Sequence, residues 1–225
     1  MLDLATKKRE RIIDLLILLA VSWFSLIITS IYVFKTGNII QYDNMSFNFA
    51  FQIYNKLLSL GVLLYILHKQ RRNIKEIGLS FRLKDILHSI LIITLVFITQ
   101  LLVRIILNPF LGYIDSTPNN IEFIKTQISF WYILFIFINP WFEELIIRGY
   151  LMTEIKLFSK NIYLAVFVSV IIQSIAHLYQ GYISVIFLTI MFLIFSIYFA
   201  KTKRIFPVIL AHLFFDILAM IIHAV

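Results

Sequence analysis

The chain has 225 residues, of which 61% are hydrophobic and 14% charged, and a mean hydropathy of +0.92. Soluble domains run about 45–50% apolar and about 25% charged, so an ordinary soluble globule is excluded, and 22 Phe residues with so little charge exclude disorder. Zero Cys removes any disulfide framework, thiolate metal site or thiol nucleophile, and the net charge of +8 lies in short loops between apolar runs, a pattern unlike a nucleic-acid-binding face.

A helix needs roughly 20 apolar residues to cross a bilayer. The sequence predicts seven such runs, over 13–34, 47–67, 86–108, 129–150, 161–178, 182–200 and 205–224. The first follows Lys7, Lys8, Arg9 and Arg11. It is too long for a signal-peptide core, and no small-x-small cleavage site follows Phe34-Lys35-Thr36, so it reads as a retained anchor. Loop charge then alternates. The segment 69–84 carries Lys69, Arg71, Arg72, Lys75, Arg82 and Lys84, and 109–128 holds Asp115, Glu122 and Lys125. The stretch 151–160 carries Lys156 and Lys160, Gln180-Gly181 is uncharged, and 201–204 reads Lys-Thr-Lys-Arg. Positive charge favours the cytoplasmic side. The expected fold is therefore an all-α, polytopic transmembrane helical bundle of about seven spans, one integral membrane domain over 1–225, with a cytoplasmic N-terminus. The region 129–160 is open to a broken or re-entrant helix. No internal repeat of the transporter kind is visible.

Charge at membrane depth is costly and marks function by default. The charged groups inside the runs are expected to cluster in the C-terminal half, as Glu143, Glu144, Arg148, His177, His212 and Asp216, with Gln173 as a neutral companion. Pro140 cannot donate to the carbonyl of Ile136. Either the helix kinks there, or a new helix starts with Asn139 as N-cap and Pro140 in its first turn. Glu144 and Arg148 are i, i+4 in the favourable order for an ion pair. Glu143 lies about 100° away on the helix wheel and has no such partner. One carboxylate is thus neutralised and the other is free for chemistry. Gln173 and His177 share a face at i, i+4, as do His212 and Asp216, where a carboxylate can fix the imidazole tautomer or share a metal with it. His68, His88 and His223 read as interfacial, and Trp23, Trp131 and Trp141 as belt or packing residues. At 1.5 Å per residue, His212 stands roughly 12 Å from Arg204 and His177 roughly 25 Å from Lys160. The two histidines share a depth only if the fifth run starts well outside the bilayer or is displaced.

The ordered set Glu143-Glu144-x-x-x-Arg148, then His177, then His212-x-x-x-Asp216 resembles the CPBP intramembrane proteases, which comprise the type II CAAX prenyl proteases and the bacteriocin-processing "Abi" proteins. Pro140-Trp141-Phe142-Glu143-Glu144-Leu145-Ile146-Ile147-Arg148-Gly149 is similar to the family's first motif. The run Lys201-Thr202-Lys203-Arg204-Ile205-Phe206-Pro207 into His212 is similar to the approach to its last motif. Ile77-Gly78-Leu79-Ser80-Phe81-Arg82-Leu83-Lys84-Asp85 is similar to a short cytoplasmic signature of its bacterial members. The catalytic resemblance covers about 139–220 and implies a catalytic core over about 129–224.

The resemblance implies that Glu143 with His177 activates water, that Glu144 and Arg148 brace the site, and that His212 with Asp216 stabilises the oxyanion. Gln173 stands where the family usually has Phe, and Asp216 where it often has Asn. An ionised aspartate cannot donate to an oxyanion. The implied activity is an intramembrane endopeptidase. Its partners would be the lipid bilayer and a hydrophobic, prenylated or leader or signalling peptide substrate, with no nucleic acid, and the Ile-, Lys- and Asn-rich composition points to a bacterial plasma membrane as its setting. No cofactor is expected under the glutamic mechanism that the resemblance favours. A zinc mechanism would instead use His177 and His212 with Glu143 or Asp216. Two other classes stay open on the same residues: a non-catalytic membrane regulator or bacteriocin-immunity protein, and a proton relay through Glu143, His177 and Asp216.

Overall fold

The computed structural model describes residues 4–37, 45–111 and 128–223. Asp115, Glu122, Lys125, most of the 35–46 connection and the side chain of His223 lie outside the described residues. Within them the chain is helical and no strand occurs. In order the helices are α1 (Leu4–Ser22), α2 (Phe24–Thr36), α3 (Met45–Lys69), α4 (Lys84–Leu111), α5 (Phe130–Glu143), α6 (Met152–Ser159), α7 (Ile162–Ala176), α8 (Tyr182–Thr202) and α9 (Phe206–His223). A π-helical segment, Glu144–Leu151, joins α5 to α6.

All seven predicted runs are helical, but they do not all have spanning length. Among the described residues, four helices are long and apolar enough to cross a membrane, five if the bent pair α1–α2 counts as one span. Ile162–Ala176 and Phe206–Ile222 are shorter apolar helices. The 48° bend between α1 and α2 has a local cause. Ser22 Oγ donates to the Leu18 carbonyl at 2.6 Å, and such back-bonding by Ser competes with the helix ladder and bends it.

The region around Pro140 is neither a new helix nor a re-entrant loop. Ser129 caps α5 through Tyr132 N–H at 3.2 Å, and Pro140 sits inside the helix. Asn139 is therefore a mid-helix residue and not an N-cap. The missing proline N–H weakens the α ladder, and the chain widens to π geometry from Glu144 onward, a form that concentrates at functional sites. Phe130–Ser159 forms one 30-residue apolar helical stretch, and 50% of its 18-residue apolar window is buried inside the protein, against 11% of that of α4. The motif helix is thus central, and α4 turns rows such as Leu87, Leu91, Leu101 and Ile105 outward. Around the centre, α3 packs on α5, α9 on α4 and α5, and α7 on α2, α6 and α8.

Two apolar clusters hold these helices together. One joins Leu18, Trp23, Leu63, Ile77, Phe142, Ile146, Tyr150, Phe199 and Ile205, and the other joins Ile92, Val96, Phe192, Phe195, Val208 and Ala211. An ionic layer ties the first spans to the motif helix. Arg11 forks onto the buried Glu154 at 2.9 and 2.7 Å, and Arg72 takes the same carboxylate. Lys69 and Gln70 hold Asp14 at 2.7 and 3.0 Å, and Gln70 also reaches the Tyr150 hydroxyl at 3.0 Å. Asp14 and Lys56 are buried charges in the first two runs, which corrects the expectation that such charges cluster in the C-terminal half.

Candidate active site

The last residue of α5 is Glu143, followed at once by Glu144 in the π segment, so the two carboxylates leave the backbone in different directions. Glu144 is fully buried. Its Oε1 accepts from Arg148 Nη1 at 3.0 Å and from His212 Nδ1 at 2.7 Å. Arg148 also donates to the Phe192 carbonyl at 3.3 Å, and its guanidinium lies 5.4 and 5.8 Å from the Phe192 and Phe195 ring centroids. The expected Glu144–Arg148 pair is present, and it reaches further than expected, because the same oxygen fixes His212 from α9.

Glu143 has a different partner. Gln173 Nε2, from α7, donates to its Oε2 at 2.9 Å. This leaves Oε1 as the oxygen open to a water. The Gln173 side chain thus serves Glu143 on another helix and not His177 on its own face. Its backbone carbonyl does bond His177, accepting from Nδ1 at 2.8 Å. A carbonyl oxygen only accepts, so the His177 proton sits on Nδ1 and Nε2 carries the free lone pair. Gln173 Oε1 is buried without a hydrogen-bond partner.

His212 Nε2 stands 3.5 Å from Asp216 Oδ1, one turn on. The other Asp216 oxygen accepts from Asn139 Nδ2 at 3.2 Å. Asp216 Oδ2 therefore accepts from an amide, and Oδ1 faces the imidazole.

Glu143, His177, His212 and Asp216 line one cavity of about 420 Å³, together with Asn139, Lys56 and Gln52. Glu144, Arg148 and Gln173 stand behind this wall. The depth conflict between the histidines resolves through the ends they occupy. His177 lies just past the C-terminal end of α7 and His212 in the second turn of α9, so the start of α7 lies farther from the cavity than the start of α9. Among the described residues no three His, Asp or Glu side chains converge closely enough to hold a metal ion. As placed here, His177, His212, Glu143 and Asp216 form no such group.

Three wall residues were not anticipated in their observed roles. Asn139 was read only as a cap. Lys56, from α3, is 6% exposed, and its Nζ lies 4.2 Å from the Phe142 ring centroid and 5.1 Å from that of Phe135. A lone lysine in an apolar run is the signal that marks it. Trp23, read as belt or packing, is buried, stacks on Phe142 at 5.9 Å and lines the cavity. Trp131 is exposed, Trp141 packs edge-on to Phe206, and His88 meets the Tyr198 hydroxyl at 2.7 Å.

The arrangement offers a carboxylate with one free oxygen, an imidazole with a free lone pair, and a second imidazole held by an acid on either side. It sits inside an integral membrane protein, in a wall otherwise made of apolar helices. No curated protein and no solved structure matches the chain. Residues 125–218, which hold every motif residue from Glu143 to Asp216, match the family model described as type II CAAX prenyl endopeptidase Rce1-like, in agreement with the CPBP protease family that its motifs resemble.

Proposed function

We propose that the protein is a glutamic intramembrane endopeptidase that hydrolyses a peptide bond in a membrane-associated or lipidated peptide. Glu143 Oε1 takes a proton from water, assisted by His177 Nε2, and the water oxygen attacks the scissile carbonyl carbon. Collapse of the tetrahedral species expels the amine, which receives the proton held by Glu143. Glu144 and Arg148 position His212, and Gln173 positions Glu143. Asp216 orients His212 and is an acceptor, not an oxyanion donor. The observation that carries this reading is the convergence of Glu143, His177, His212 and Asp216 on one cavity, each held by a polar partner.

The substrate class is a prenylated peptide or a hydrophobic leader or signalling peptide, reached from the bilayer. The topology that goes with it has seven spans, with the shorter α7 and α9 among them, a cytoplasmic N-terminus and a bacterial plasma membrane as setting. The alternating loop charges support it.

The test is turnover of a fluorogenic peptide bearing S-farnesylcysteine, by protein in lipid nanodiscs. Glu143→Gln is expected to lower kcat by about 10²–10⁴-fold, the range for a lost general base. Activity that survives metal chelation supports the glutamic mechanism, and activity restored only by Zn²⁺ overturns it. Equal products and phenotype from wild type and Glu143→Gln in cells would hand the function to the non-catalytic regulator or immunity reading.

A further inference from the structure

The spans before the family-matched segment bring the cavity something that the motifs do not. On α3, Gln52 and Lys56 stand one turn apart on one face, and both line the cavity. The Lys56 ammonium makes no ion pair among the described residues and rests on the Phe142 ring. The carboxylates that act on it through space are Glu143 and Asp216. An unpaired ammonium buried among apolar helices is expensive, and a cation–π contact recovers only part of that cost.

Several donors around the reacting carboxylate are committed. Gln173 serves Glu143, Asn139 serves Asp216, His177 Nδ1 serves a backbone carbonyl, and Arg148 and His212 Nδ1 serve Glu144. On the cavity wall the Trp23 indole N–H is buried without a hydrogen-bond partner, and the ammonium of Lys56, a residue 6% exposed, rests on the Phe142 and Phe135 rings. Both lie against Phe142, the residue next to Glu143. Asp216, which with His212 is the pair the family resemblance offers for the oxyanion, already takes the Asn139 amide on Oδ2.

We propose that Lys56 is a catalytic residue whose ammonium holds the oxyanion of the tetrahedral intermediate, a role that rests on the hydrolase reading above. When water bonds to the scissile carbon, Glu143 takes its proton and the carbonyl π pair moves onto the carbonyl oxygen. One negative charge leaves Glu143 and reappears on the substrate. Lys56 balances Glu143 before the transfer and the oxyanion after it, so the low-dielectric site keeps its charge balance without reorganising. Collapse re-forms the carbonyl, breaks the carbon–nitrogen bond and passes the Glu143 proton to the leaving nitrogen.

The chain has no cysteine, so Lys56→Cys introduces a single thiol that can be rebuilt chemically. The probe is the same S-farnesyl peptide in nanodiscs, made with a free C-terminal carboxylate and with a C-terminal amide. Lys56→Cys is expected to lower kcat by about 10²–10³-fold on both peptides, the loss seen for one oxyanion donor, with KM little changed. Alkylation with 2-bromoethylamine, which restores an ammonium at lysine length, is expected to return most of the lost kcat. A neutral methylthio cap of the same thiol is expected to return none. All arms share one polypeptide, and mass spectrometry verifies each modification, so a folding defect shows equally in both caps. Rescue by the neutral cap, or wild-type kcat in Lys56→Cys, overturns the assignment. A rise in KM confined to the free-acid peptide also overturns it, and makes Lys56 an anchor for a terminal carboxylate. The control is wild-type turnover that Glu143→Gln abolishes. Its absence sinks the hydrolase reading and the oxyanion role together, whereas its presence beside an unimpaired Lys56→Cys sinks the oxyanion role alone.

Discussion

Arg148→Met tests whether the buried acid–base core holds the site together. An exposed i, i+4 pair would be worth only about 0.3–0.5 kcal/mol. Here both partners are fully buried, with Nη1 3.0 Å from Glu144 Oε1. Removing one partner of a buried pair costs about 3–5 kcal/mol, because the other charge is stranded. Glu144 keeps His212 at 2.7 Å, which argues for the low end, about 3 kcal/mol. Loss of the Arg148 bond to the Phe192 carbonyl at 3.3 Å adds about 1 kcal/mol. Isolated interhelical hydrogen bonds in membrane proteins average only about 0.6 kcal/mol, so a total near 4 kcal/mol requires a stranded charge. The assay is reversible unfolding in bicelles of Arg148→Met, Glu144→Gln and the double variant. The double variant is expected to cost less than the sum of the singles by about 2 kcal/mol, since neither charge is then stranded. Additive costs, or a single-variant cost below about 1 kcal/mol, would refute the reasoning by showing that Glu144 and Arg148 are solvated separately.

Three further outcomes are expected. Gln173→Leu removes the donor to Glu143, a bond to a charged group worth about 1.5–3 kcal/mol, so kcat should fall by about tenfold to a hundredfold with KM unchanged; an unaltered kcat would deny Gln173 a positioning role. Gly78→Ala should destabilise by more than Gly37→Ala in a thermal melt. Both glycines have positive φ, but a Cβ on Gly78 would meet Phe199 Cε2 at 2.6 Å and the Lys203 carbonyl at 2.8 Å, while Gly37 faces open space, so strain alone, about 1–2 kcal/mol, applies there; the reverse order would rule out the clash. The Asn73 backbone N–H, helped by Arg72, holds the Glu76 carboxyl below its usual range. A depressed carboxylate stabilises above its unfolded pKa, and that contribution is lost as pH falls through the lower folded value. Amide exchange of residues 74–78 should accelerate over that acidic window in the wild type but not in Glu76→Ala, and identical profiles would exclude the cap as the cause.

The apolar runs were legible because a bilayer imposes a length that composition alone reveals. The Glu144–Arg148 pair was legible because helical spacing makes it local. What spacing cannot give is which faces meet. The bond of His212 to Glu144, of Gln173 to Glu143 and of Asn139 to Asp216 each joins different helices, so the donors could be named while their acceptors could not. The π segment was also hidden, since proline predicts a weakened ladder but not the register the chain adopts afterwards. Lys56 is a different case. Its signal, a lysine alone in an apolar run, is present in the sequence but lies outside the motifs.

The short signature at 77–85, remote from the catalytic residues in sequence, has a physical role that the packing supplies. Ile205 N–H donates to the Gly78 carbonyl at 3.0 Å, and Arg204 pairs with the buried Asp85. Gly149, at the end of the first motif, lets the Ile77 carbonyl and the Ile205 side chain approach to 3.1 Å of where a Cβ would stand. Three segments far apart in the chain thus form one joint at the start of α9. That joint sets the height of α9, and His212 lies seven positions beyond Ile205 on it. A change of one residue in this register would rotate His212 by about 100°, away from Glu144. The signature and the Arg-Gly ending of the first motif therefore act on the site by fixing where a helix begins. The family-matched segment depends on residues before it for that register, as it does for Lys56 and Trp23 in the cavity wall.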